Sequence, residues 1–225
     1  VGVNETNGTA VLAPQATMAH GTTLYANRVK LAEGADVWNV RTNSLVAAPT
    51  EGIHGDVGPV ALPLKAPFCP QPSLTCGGGN VTVAGLTELT LPAGNYGNVS
   101  VGSGGTLLLP DNAPYRFCEL RIANDANVLA THQITLEVPG NVLVGTRSEL
   151  RTGGGAPLVL HVGGLKLLLG REAIVTAAIT APNAKGKVKS DSLLAGCMCA
   201  RVVKATKNST LTCAGDGSPS PAFVD

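Results

Sequence analysis

The sequence predicts an all-β protein, a single parallel β-helix with coils of about 21–23 residues, and three observations carry that expectation. The first is a recurring phrase: two apolar residues on alternate positions, a small or polar turn, then another apolar residue. It places Val99, Val101 and Leu107 in GNVSVGSGGTL, and Leu120, Ile122 and Val128 in CELRIANDANV. It recurs as Val142, Val144 and Leu150, and as Leu165, Leu167 and Ala173. In each copy the first and last apolar residues are eight apart, and the starts at 99, 120, 142 and 165 step by 21, 22 and 23 residues. A weaker copy joins Val203 to Leu211. A period in the twenties marks a solenoid, in which each repeat is one coil stacked on the last. The second observation is strict alternation, as in Thr135-Leu136-Glu137-Val138 and Leu158–Val162, which is the strand period. The third is punctuation by Gly and Asn every few residues, which leaves little room for a helix of about ten residues or more. Leucine-rich repeats share the period, but their fixed Leu/Asn frame is missing.

Composition agrees with that architecture. The 225 residues suffice for one domain with a substantial core. Aromatic residues are 3% and charged residues 14%, as expected of an interior of stackable aliphatic side chains repeating every ~4.8 Å. Little ring surface is left for stacking sugars or bases. A net charge of +1 gives no global field toward nucleic acid or membrane, so neither is an expected partner. No apolar run approaches the roughly 18–20 residues of a membrane span. The sequence begins at Val1 rather than Met and reads as a processed or trimmed product.

In chain order, residues 1–28 read as an N-terminal extension, small and Thr-rich, either a disordered lead-in or a donor strand for a neighbouring molecule. Residues 29–213 form the β-helix domain, opening on a coil with Val29, Leu31 and Val37 in the same frame. Trp38, the only tryptophan, is expected to pack against that coil rather than bind a ligand. Residues 47–80 are rich in Pro and Gly and read as a loop insertion, stapled by Cys69–Cys76 on loop length and suited to a specialised surface. The frame resumes at Val81 and Leu89. Residues 214–225 read as a tail.

The six cysteines, Cys69, Cys76, Cys118, Cys197, Cys199 and Cys213, are an even set without CxxC. Metal binding is one reading of Cys197-Met198-Cys199, but a zinc site needs further ligands that the spacing does not supply. Disulfides are the favoured reading and imply an oxidising compartment. After Cys69–Cys76, the next pair by position joins Cys197 or Cys199 to Cys213 across adjacent coils.

Three stretches, LPAGNYGNVSV (91–101), TLLLPDNAPYRFCELRI (106–122) and ITAPNAKGKVKSDSLLAGCMCARVVKATKNSTL (179–211), carry a resemblance. In this order they resemble the secreted bacterial β-helix domains of unknown function found in polymer-forming and pilus-associated surface proteins. The shared pattern is an LPxGxY turn, a Y-x-F coil, an APNA turn and a closing coil. The cytoplasmic bactofilins are similar at the level of stacked apolar coils. The resemblance implies an extracellular structural or adhesive role and brings no catalytic residues with it.

Candidate chemistry is sparse. Glu119, Glu137, Glu149 and Glu172 sit at different offsets from their repeat anchors, so no column of carboxylates is expected and catalysis is not. His20, His54, His132 and His161 show no metal-ligand spacing. No cofactor is expected. Lys185, Lys187 and Lys189 alternate along one stretch and are followed by Arg201, Lys204 and Lys207. They read as a solvated face that discourages edge pairing, or as a face for an anionic partner such as a cell-surface polysaccharide or another subunit. Asn-x-Ser/Thr sequons begin at Asn4, Asn7, Asn80, Asn98 and Asn208. The expected function is a non-enzymatic extracellular solenoid that self-assembles into a filament or surface layer by end-to-end stacking, with Thr9–Pro14 and Cys197–Thr206 as the joint. The alternative is a monomeric adhesin or glycan-binding module; a polysaccharide-degrading enzyme ranks below both.

Overall fold

A computed structural model describes residues 1–3, 8–47, 52–60, 75–154 and 156–213. No α-helix occurs among them, every strand pairing is parallel, and the strands stack as a β-solenoid of about ten turns. β1 (Gly2–Val3), β2 (Thr9–Leu12) and β3 (Thr17–Met18) make one coil. β4 (Thr23–Tyr25) and β5 (Arg28–Leu31) make the next, and β6 (Asn39–Arg41) and β7 (Ser44–Ala47) a third, followed by β8 (Val57–Gly58). β9 (Val81–Val83) and β10 (Glu88–Thr90) then open the main block. It continues through β11 (Gly94–Val101), β12 (Thr106–Leu109), β13 (Tyr115–Ile122) and β14 (Asn127–Ala130). β15 (Thr135–Val138), β16 (Val142–Val144) and β17 (Glu149–Thr152) follow, then β18 (Leu158–Val162) and β19 (Lys166–Leu169). The block closes with β20 (Ile174–Val188), β21 (Leu193–Ala195), β22 (Met198–Ala205) and β23 (Thr210–Thr212).

Stack order differs from chain order. β1 and β2 pair with β22, and β3 pairs with β23, so the N-terminal coils sit on top of the C-terminal coil. Counted from β9, coils 1–7 come from the main block and coils 8–10 from residues 1–53. The segment read as an N-terminal extension is therefore integral to the solenoid: its alternating Ala10 and Leu12 are buried like any core pair. Thr9–Pro14 and Cys197–Thr206, read as an intermolecular joint, meet within one chain, with Ala10 opposite Val203 and Leu12 opposite Ala205. The stretch 47–80 is not an insertion within a coil. It carries β8 at one end of the stack and leads into β9 at the other, while 61–74, with Cys69, lie outside the described residues, as does the tail 214–225.

One apolar column runs through the first face: Val81, Val99, Leu120, Val142, Leu167, Gly186, Val203, Ala10, Val29, Leu45. A second runs through Leu89, Leu107, Val128, Leu150, Val175, Leu194, Leu211 and Met18, then to Val37 and Ile53. Every member of the second column lies eight residues after its partner in the first, in all ten coils. Coil length is less regular. The first column steps by 21 and 22 residues from 99 to 142, by 25 from 142 to 167, and by only 16 from 29 to 45. The fourth sequence copy was framed two residues early: Leu167 and Leu169, not Leu165, continue the column, and Leu165 is 65% exposed. Burying each such side chain contributes about 1.5–3 kcal/mol.

The constant eight comes from the corner between the first two faces. There Gln15, Leu86, Asp125, Arg147, Glu172, Asp191 and Asn208 have φ between 54° and 61°, and Gly34 and Gly104 hold the same place. The left-handed residue reverses the chain, and a small residue after it (Ala16, Ala126, Ser148, Ala173, Ser192, Ser209) fits inside the corner. Backbone hydrogen bonds tie these turns into a spine: the left-handed residue donates to the turn of the next coil, as in Arg147 N to Arg171 O at 2.8 Å and Glu172 N to Ser190 O at 3.0 Å. The tyrosine motifs are structural. The Tyr96 hydroxyl donates to Pro92 O at 2.7 Å, and buried Tyr115 donates to Leu91 O at 3.2 Å.

Candidate functional site

Two kinds of surface stand out: the ends of the stack and one basic corner. At the ends, the apolar columns stop at Leu45 and Ile53 on coil 10 and at Val81 and Leu89 on coil 1, all four only partly buried. Their interior counterparts, such as Leu120 and Val128, are fully buried. Among the described residues β7 and β9 each pair with one neighbour, which leaves an unpaired strand edge at each end.

The basic corner lies on coils 4–7. Lys185 and Lys187 alternate outward along β20 and Lys189 follows just past its end, as the sequence suggested, with Gly186 and Val188 facing in. Lys185 is in register with Lys166 and Lys187 with Lys204, so like charges stack on adjacent strands. Lys207 reaches the same corner through its carbonyl, which accepts from Asp191 N at 3.2 Å. Arg201, in β22, is half-buried and does not join this exposed set. A groove of about 450 Å³ opens here, lined by Arg147, Arg171, Lys187, Lys189 and Glu172. The hydroxyls of Ser190 and Thr206, 3.3 Å apart, lie on its wall.

Arg147 and Arg171 are the residues that the sequence reading missed. They occupy successive turns of the spine, and the misplaced fourth frame hid this. Five residues after each first-column anchor come Asp125, Arg147, Glu172, Asp191 and Asn208, so a mixed column of charge does exist at this corner. It is largely self-neutralising. Arg147 donates to both oxygens of Asp125, at 2.7 and 2.9 Å, which holds that carboxyl below its usual range and the guanidinium above its own. Asn208 donates to Asp191 at 3.0 Å. Three glutamates elsewhere are partnered: Glu137 with Arg116, Glu119 with Arg121 at 3.2 Å and Glu149 with Arg151 at 2.5 Å.

The histidines remain scattered, with one exception. His20 and His54 flank Trp38, with ring centroids 3.8 and 5.9 Å away, and His54 Nε2 lies 2.7 Å from Asp36. Trp38 thus packs between side chains on coils 8–10. No group of three or more His, Cys, Asp or Glu among the described residues is arranged to hold a metal ion. Asn80, at one sequon, uses its side-chain Oδ1 to accept from Asn98 N at 2.8 Å; Asn4 and Asn7 lie outside the described residues.

The cysteines are cross-linked differently from the loop-length expectation. Cys76 bonds Cys118 rather than Cys69, because residues 77–79 fold against coil 2 and bring Cys76 alongside coil 3. Cys197 bonds Cys213, joining the start and finish of coil 7. Cys199 is also disulfide-bonded. The molecule is thus of the class of disulfide-bonded parallel β-solenoids. No family model, curated protein or solved structure matches the chain.

Proposed function

We propose that this chain is a non-enzymatic extracellular structural module whose copies stack end to end into a filament or surface layer. The observation that carries the reading is the match between the two ends. Leu45 and Val81 terminate the same column, Ile53 and Leu89 the other, and both ends belong to one parallel sheet of constant direction. A second copy placed head to tail would continue both columns and pair β7 with β9, with β8, which already covers β6, displaced by residues 77–79 of that copy. Such a heterologous contact does not close on itself and propagates. The disulfides fit an oxidising compartment outside the cytoplasm. The resemblance to domains of polymer-forming bacterial surface proteins points the same way. The partnering of Glu119, Glu137, Glu149 and Asp125 with arginines favours a structural role over catalysis.

Electron microscopy of the purified protein in non-reducing buffer tests this. The expected outcome is filaments with an axial repeat of about 48 Å, ten strand spacings. Leu45→Lys and Val81→Lys should each leave the protein monomeric while its melting temperature changes by little. Dispersed wild-type monomers at every concentration, or filaments indifferent to both substitutions, would remove the reading.

A further inference from the structure

The geometry points to the basic corner of coils 4–7 as a binding site for an acidic polysaccharide, a linear sugar polymer bearing carboxylates. This does not depend on end-to-end assembly, because the corner lies on the flank of the stack.

The argument begins with charge arrangement. Like charges directly opposite on neighbouring strands are destabilising, and elsewhere this chain avoids them. Arg116 stands in register with Glu137, and Arg147 stacks on Asp125. On coils 5–7 the pattern reverses, with Lys166 beside Lys185 and Lys187 beside Lys204. No ion pair among the described residues engages Arg171, Lys187 or Lys189, and Glu172 is the only carboxylate in the groove. Glu172 and the neighbouring Asp191 offset only part of this charge, and on a chain of net charge +1 the remaining local excess of cations is one that an anion would relieve.

The shape narrows the ligand. The groove volume of about 450 Å³ falls within the usual range for bound small molecules and sugar units. The lysines stand in rows of two, with ~4.8 Å between adjacent strands and ~6.8 Å between alternate residues of a strand, so they suit several spaced charges of a polymer better than a single compact anion. Lys187 and Lys189 supply mobile point charges and Arg171 a planar fork for a carboxylate. Ser190 and Thr206 offer hydroxyls to sugar hydroxyls. No aromatic side chain lines the groove, so the stacking platform of single-stranded nucleic-acid sites is lacking.

The test is binding to an immobilised soluble polyuronate at low and at physiological salt. Neutral dextran and a single-stranded oligonucleotide serve as comparison ligands, and each variant is first shown to melt as wild type does. The wild-type protein should bind the polyuronate in a salt-sensitive manner and ignore dextran. Lys187→Glu/Lys189→Glu should weaken binding by about tenfold or more, and Lys30→Glu, outside the groove, should leave it unchanged. Absent polyuronate binding at low salt, equal binding by the groove variant, or tighter binding of the oligonucleotide would each overturn the assignment.

Discussion

The junction of coils 7 and 8 and the two ends of the stack are built from the same columns, but among the described residues only the junction is sealed. At the junction Val203 meets Ala10 and Leu211 meets Met18, all buried, and Ala13, Thr17 and Ala19 donate their backbone N–H groups to Ala205, Ser209 and Leu211 at 2.9–3.1 Å. At the ends the equivalent positions, Leu45, Ile53, Val81 and Leu89, are only partly covered. The chain's two blocks thus join in cis by coil-on-coil contact, the kind of contact that the proposed end-to-end stacking would repeat. A solenoid coil recognises its neighbour through shape and register rather than sequence separation, so residues 193 positions apart can lie side by side, as Thr17 and Thr210 do.

The sharpest way to break the comparison is to place a charge at three rungs of one column. Val142→Lys, in the middle of the main block, should cost about 4 kcal/mol or more, because it buries an unpaired ammonium. Val203→Lys, at the junction, should cost a similar amount, lowering the melting temperature by about 10 °C. Leu45→Lys, at the end, should cost far less. A junction substitution as mild as the end substitution would mean that coils 7 and 8 are not packed as the interior is.

The same columns explain what was legible in the sequence. The eight-residue frame was readable because the left-handed corner turn has fixed length, and it was recognised at Val29, Val81, Val99, Leu120, Val142 and Val203. It went unseen at Ala10 and Gly186, where the anchor is too small to register as apolar, and Leu165 imitated an anchor two residues early. Gly186 shows why size misleads: a Cβ there would approach the Met198 sulfur at 3.1 Å, so its neighbour already fills the space. Stack order was illegible for a physical reason, since every coil offers its neighbours the same kind of aliphatic rung. At the basic corner, alternation revealed Lys185, Lys187 and Lys189, but Arg147 and Arg171 emerge only once the turns are stacked. Cys197–Cys213 was within reach of coil adjacency; Cys76–Cys118 required knowing that residues 77–79 double back.

The disulfide at coil 7 sharpens the comparison at intermediate scale. Cys197 and Cys213 are 16 residues apart, and closing such a loop contributes about 3 kcal/mol in the chain-entropy account. The bond fixes the coil that receives the N-terminal block, and Thr22 of that block donates its hydroxyl to Cys213 O at 3.4 Å. In Cys197→Ser/Cys213→Ser, hydrogen exchange should accelerate first in β1–β3 and β22–β23, while β11–β14 keep their protection. Uniform acceleration along the stack would instead make the junction no weaker than the interior.

The smallest effect concerns a titrating group inside the stack. His161 stands between Glu137 and Thr180 on neighbouring coils, is half-buried, and its Nδ1 has no hydrogen-bond partner among the described residues. Burial pushes its pKa below the ordinary value, with Glu137 opposing; that carboxylate is already engaged by Arg116. For a base with a depressed folded pKa, the unfolded chain takes up the proton first as pH falls. Stability from His161 is therefore complete above the unfolded value of about 6.5 and declines as pH drops through the window just below it. The melting temperature should fall slightly between pH 7.5 and 5.5, and His161→Gln should flatten that fall. An identical fall in the variant would show that His161 is not the titrating group.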